Sequence, residues 1–226
     1  MLAVVLVSAA IRLGSGFSVL SGLQLMVLRG IHRTAASLEV LAVLWLAWMA
    51  WSGRRAQPRR TLAAGLALGV TAFLSVLGIL AGQDPPPAAA VANLLGGLAL
   101  TALFAWFLGS LKPGSRRSSQ ALVFAAGILL ALQLLLGARL SIVERFGIAL
   151  PVHGLLAIAL AALLGWIGLA RVPGALGKLL FAFALAAPVA GFTALQFEYS
   201  IAAALAHALA AAALVATAAF AFGRNA

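Results

Sequence analysis

With no cysteine in the chain, three histidines are the strongest transition-metal ligands among its 226 residues, and their spacing is regular. His32, His153 and His207 lie in the segments RGIHRTAA, LPVHGLLA and ALAHALAA, and Asn93 takes the matching place in AVANLLGG. The four positions are 61, 60 and 54 residues apart. Nine residues before the last three stand Asp84, Glu144 and Glu198, and sixteen before the histidines stand Gly16, Gly137 and Gly191. Each interval matches a pair of membrane-crossing helices with their turns, so the pattern reads as four copies of a two-helix unit. Polar groups repeated in one phase share one depth, and they face inward because exposing them to lipid is costly. Two imidazoles at equal depth on facing helices are a ligand pair for a six-coordinate haem iron. His153 and His207 suit this best because both belong to complete units. The plain alternative is that each histidine packs between helices or sits at the membrane surface.

Other polar residues fall around the same level. Arg139 and Arg145 suit paired hydrogen bonds to carboxylates such as haem propionates. Arg12, Arg29 and Arg33 are cations on the side where positive charge is rare, which points either to an anionic ligand or to snorkelling towards lipid headgroups. Glu39 is two helical turns below His32, where a buried carboxylate would relay protons, pair with Arg33 or satisfy a neighbouring helix. Asp84, Glu144 and Glu198 read as repeated caps or turn contacts. One turn beyond the four repeat positions stand Ala36, Gly97, Ala157 and Ala211, small enough to admit a flat ligand to the backbone.

The elements that must hold these groups follow from composition. The chain is 65% apolar and 8% charged, with a mean hydropathy of +1.15, against about 25% charge in soluble domains. The fold class expected is an all-α polytopic membrane bundle of about eight transmembrane helices, in two four-helix halves, 1–110 and 111–226, related by the internal repeat. Spans are expected at 1–20, 31–52, 61–82, 88–110, 119–138, 150–170, 174–195 and 199–222. Only ten apolar residues precede Arg12, about half a bilayer crossing. The first helix therefore either continues through LGSGFSVLSG or starts upstream. No small-residue cleavage site of a signal peptide is evident.

The net charge of +11 concentrates in alternate loops and is a topology signal; it does not argue for nucleic acid. Arg54, Arg55, Arg59 and Arg60, then Lys112, Arg116 and Arg117, then Arg171 and Lys178, then Arg224, predict a multi-pass protein of the inner (plasma) membrane with both termini cytoplasmic. Trp45, Trp48 and Trp51 read as interface anchors at the inner end of the second span. No phosphate-cradling glycine loop, hydrolase triad or metalloprotease signature occurs.

The residues AIRLGSG at 10–16 and IHRTAA at 31–36, with LGILAGQDPPP and the two C-terminal histidine segments, resemble the haem A synthase family over nearly the whole chain. That resemblance implies eight helices in two halves, oxidation of a haem O methyl group, and a resident haem b for electron transfer held by His153 and His207. It implies a substrate haem in the first half, near His32, Arg33, Arg12 and Glu39. Two positions depart from the family pattern: Arg29 stands where the family carries a glutamate, and Asn93 where it carries a histidine. Guanidinium cannot replace a carboxylate in proton transfer, and an amide is a poor iron ligand. A cysteine pair found in some members is also missing. A second reading is a non-catalytic cytochrome b subunit working with a respiratory complex or a haem-biosynthesis partner. A third is a haem-free scaffold in the lipid bilayer.

Overall fold

The computed structural model describes residues 2–16, 20–52, 57–82, 85–111, 119–143, 147–197 and 200–224. These form a polytopic helical membrane bundle of eight helices: α1 (Leu2–Gly16), α2 (Gly22–Ser52), α3 (Pro58–Ala81), α4 (Pro87–Ser110), α5 (Gln120–Ile142), α6 (Ala149–Arg171), α7 (Ala175–Gln196) and α8 (Ile201–Gly223). Seven are long and apolar enough to cross a membrane, and α1 is the shorter exception. Residues such as Ile79, Leu80, Phe124 and Ile148 are more than two-thirds exposed. Apolar surface on that scale is tolerable only against lipid.

Local chemistry sets the helix limits. Pro58 and Pro87 sit in the first turns of α3 and α4, where a missing N–H costs nothing and φ is already helical. Gly174 turns the chain between α6 and α7 with φ +73°, a conformation that glycine adopts without strain. One end differs clearly from the sequence expectation: α1 is described to Gly16, residues 17–19 lying outside the described residues, but α2 starts at Gly22, nine residues before the expected 31. A capping box explains the early start: Ser21 N–H donates to Gln24 Oε1 (2.8 Å) and Gln24 N–H donates to Ser21 Oγ (3.3 Å). At 31 residues, α2 is about 46 Å long, so its first turns overhang the bundle with Leu23, Met26 and Val27 exposed.

Helices α1 to α4 close a ring, α1 packing on α2 and α4, and α3 on both α2 and α4. In the second half α5 packs on α6, α6 on α7 and α7 on α8, but the backbones of α5 and α8 barely meet. Leu160, Leu164, Ile167, Leu180, Ala184 and Leu214 form the main core of that half.

The halves join where α4 crosses α8. Leu98 clusters with Ala212 and Val215, so the two helices run parallel. Further along, Gly109 lies on the Phe220 backbone and Gly223 on the Trp106 backbone. The contact is reciprocal. Residues 109 and 223, and 106 and 220, differ by 114, the same offset that relates Asn93 to His207. Two equivalent parallel helices crossing about a local twofold make this contact, and glycine lets their backbones touch.

Candidate functional site

The structure brings His153 and His207 together. Their rings are 6.4 Å apart between centroids and nearly perpendicular, at 87°. Both are half-buried, about one turn into α6 and two turns into α8. Those helices do not pack closely on one another, so the imidazoles bridge the space between them.

Each ring rests on a glycine of the preceding helix. A Cβ on Gly137 of α5 would stand 3.0 Å from His153 Cε1, and a Cβ on Gly191 of α7 would stand 3.0 Å from His207 Cε1. The sixteen-residue spacing in the sequence therefore has a steric cause: a helix hairpin puts the glycine opposite the ring, and any side chain there would displace it. Gly16, the corresponding residue of the first half, ends α1.

Hydrogen bonds orient the rings. His207 Nδ1 is 3.0 Å from the Ala187 carbonyl oxygen; since a carbonyl only accepts, Nδ1 carries the proton and Nε2 keeps its lone pair. Fixing one imidazole nitrogen on a carbonyl so that the other can bind metal is the usual arrangement of ligating histidines. Pro188 follows Ala187 inside α7 and removes one helical N–H at this level. His153 Nε2 is 3.2 Å from the Gln133 side-chain nitrogen, while His153 Nδ1 and Gln133 Oε1 are buried with no hydrogen-bond partner.

These residues fit a metal held by two imidazoles. With nitrogen–metal bonds of about 2 Å, ring centres 6.4 Å apart are compatible with one ion between them, which His207 Nε2 and, on release from Gln133, His153 Nε2 would hold. The glycine cradles keep both rings in place, and the unpartnered polar atoms mark a site whose hydrogen bonding is incomplete.

The other candidate residues are spread more widely. His32 lies on α2 next to the Val4 backbone of α1, with Nδ1 buried and unpartnered. Glu39 is buried two turns further along α2 and Arg12 is half-buried on α1, whereas Arg33 is exposed. Arg139 is exposed in the last turn of α5, on a different face from Gly137, since two residues rotate a helix by about 200°. Arg145, and the carboxylates Asp84, Glu144 and Glu198, lie outside the described residues. The cap seen on α8 is Ser200, whose Oγ accepts from Ala203 N–H (3.4 Å).

The first half uses its matching positions for packing. Asn93 donates from Nδ2 to Ser8 Oγ of α1 (3.5 Å), and a Cβ on Gly97 would stand 3.3 Å from Val5 Cγ2. The space one turn from Asn93 is thus filled by α1. Neither Gln133 nor the Ala187 carbonyl is marked by the repeat: Gln133 stands alone in an apolar run, and a backbone carbonyl has no side chain to signal it. Compared with protein-family models, with curated proteins and with solved structures, the chain matches none.

Proposed function

We propose that this chain is an integral membrane haem protein of the haem A synthase type, with one low-spin haem b between His153 and His207. The observation that carries the reading is the pair of imidazoles, 6.4 Å apart between α6 and α8, each seated on a glycine. A haem in this position supplies one-electron transfer. The protein's part is to hold two neutral nitrogen ligands at fixed separation, to keep water out with the apolar core of Leu160, Leu164 and Leu214, and to orient His207 through the Ala187 carbonyl. Of the two candidate propionate contacts, Arg139 is exposed on another face of α5 from Gly137 and Arg145 lies outside the described residues, so the reading rests on the imidazole pair and not on them.

The broader function is membrane redox chemistry linked to conversion of haem O to haem A. A second reading, a non-catalytic cytochrome b-type electron-transfer or assembly subunit of a respiratory complex, is favoured by one observation: Asn93 and Gly97 are engaged by Ser8 and Val5 of α1, which leaves His32 without a facing ligand from α4. On the positive-inside bias, the protein belongs in the inner (plasma) membrane with both termini cytoplasmic.

Haem extraction and stoichiometry on purified protein test the site. His153→Ala and His207→Ala should each abolish the low-spin spectrum, and His32→Ala should retain it. Wild-type protein without a six-coordinate haem signal would sink the reading. Expression in a strain that makes haem O but no haem A then separates the two functions: haem A appears if the chain is catalytic, a fully haem-loaded protein that leaves haem O unchanged removes the enzymatic reading, and haem reduction by a copurifying redox partner favours the electron-transfer subunit.

A further inference from the structure

We infer that Gln133 is a positioning residue for His153, donating to the lone pair of Nε2 so that the ring carries its proton on Nδ1, and able to accept from Nδ1–H instead when Nε2 binds a ligand. The inference rests on the haem b reading above for this second contact only. Its basis is the mismatch of partners around one ring. The Gln133 side-chain nitrogen is a donor and lies 3.2 Å from His153 Nε2, so Nε2 accepts and the proton of the neutral ring resides on Nδ1. That leaves one buried donor, His153 Nδ1, and one buried acceptor, Gln133 Oε1, both without partners. Two complementary orphans on adjacent side chains are costly in an apolar interior, and a single movement pairs them.

The geometry allows that movement. His153 turns Cε1 towards α5, and a Cβ on Gly137 would be 3.7 Å from each of the two ring nitrogens. Gln133 is one helical turn from Gly137, on the same face of α5. Both nitrogens flank the edge presented to that face, so a change of rotamer carries the amide from one to the other. Afterwards His153 would match His207: Nδ1–H on an amide oxygen, as His207 Nδ1–H is on the Ala187 carbonyl, and Nε2 available to iron. Gln133 thus keeps His153 in the tautomer that ligation through Nε2 requires.

The test uses full-length protein in detergent, labelled with nitrogen-15 histidine and studied by NMR without haem. Wild type should show His153 in one tautomer, protonated at Nδ1. Gln133→Leu should release it into a mixture of tautomers with no change in His207. An unchanged His153 signal in Gln133→Leu overturns the inference whether or not the protein binds haem. In haem-loaded protein, Gln133→Leu should raise the reduction potential, because it removes an acceptor from Nδ1–H and makes the ligand less basic. Gln133→Glu, a stronger acceptor, should lower it. Equal potentials in the three proteins overturn the second contact. A tautomer change in a chain that takes up no haem keeps Gln133 as the residue that fixes His153 and removes the haem reading alone.

Discussion

Gly137 on α5 lies directly against the ring of His153 on α6, close enough that a Cβ would stand 3.0 Å from Cε1. Gly191 and His207 repeat the relationship one helix pair later. Because the neighbour is the end of a side chain, an alanine can be admitted only if the ring shifts, and overpacking of this kind costs about 1–3 kcal/mol. Gly137→Ala and Gly191→Ala should each lower the haem retained per protein while leaving the chain folded. Gly127→Ala, on the same helix but with open space around it, should not. Haem-to-protein ratios after detergent extraction decide the matter, and equal ratios in the three variants would count against the cradle.

The α4–α8 crossing should be more sensitive than the cradle. A Cβ at Gly109 or Gly223 would meet backbone atoms, with Phe220 Cα at 3.1 Å and Trp106 Cα at 3.0 Å. Backbone cannot rotate away. Gly109→Ala and Gly223→Ala should therefore force the helices apart and destabilise the join between halves by roughly 1–3 kcal/mol or more. Gly65→Ala faces open space and should gain up to about 1 kcal/mol from helix propensity. Thermal unfolding in detergent measures the difference; a Gly109→Ala protein as stable as Gly65→Ala would show that the crossing is looser than described.

Much of this arrangement is legible in the residues, and the exceptions have physical causes. The eight helices follow from hydropathy alone, since a membrane leaves few alternatives for an apolar chain. The histidine pair follows from the repeat, because helices inserted the same way carry equivalent residues to equivalent depth. Gln133 is different. It belongs to no repeat and sits alone in the apolar run ALVFAAGILLALQLLLG, so only three-dimensional proximity reveals its contact with His153. The Ala187 carbonyl has no side-chain signature at all. The start of α2 is a third kind of case: Ser21–Gly22–Leu23–Gln24 carries the capping signal, but hydropathy places the span's start at residue 31 because polar and basic residues interrupt the segment before it. Asn93 is legible as a departure from histidine, whereas its bond to Ser8 depends on how closely α1 approaches α4.

The capping box on α2 has a testable consequence of its own. Ser21 and Gln24 satisfy one another's backbone N–H groups, and the turns that follow are exposed with little packing to hold them. Ser21→Ala should lose about 1 kcal/mol of local stability, and Ser21→Ala with Gln24→Ala should fray the helix towards Gly30. Amide exchange of residues 22–30 should rise in the variants and stay unchanged in the α6–α8 core. Equal exchange across 22–30 would mean that contact with lipid or detergent, rather than the cap, holds this segment helical.

Orientation can be tested cleanly because the chain has no cysteine. Gln57 and Pro85 are both exposed and lie just beyond opposite ends of α3, so one helix separates them by a membrane thickness. Arg59 and Arg60 stand beside Gln57, and basic residues in short loops are retained on the cytoplasmic side. In intact cells a membrane-impermeant maleimide should label Pro85→Cys and should reach Gln57→Cys only after permeabilisation. The first turn of α3 also makes a structural bond, Arg60 Nε donating to Ser110 Oγ (3.1 Å), which ties the start of α3 to the end of α4 and puts both on the Gln57 side. The histidines lie near the opposite ends of these helices, so the labelling also fixes which side of the membrane His153 and His207 approach. Labelling of Gln57→Cys from outside would invert the topology and place both imidazoles near the cytoplasm, where a soluble electron donor would reach them directly.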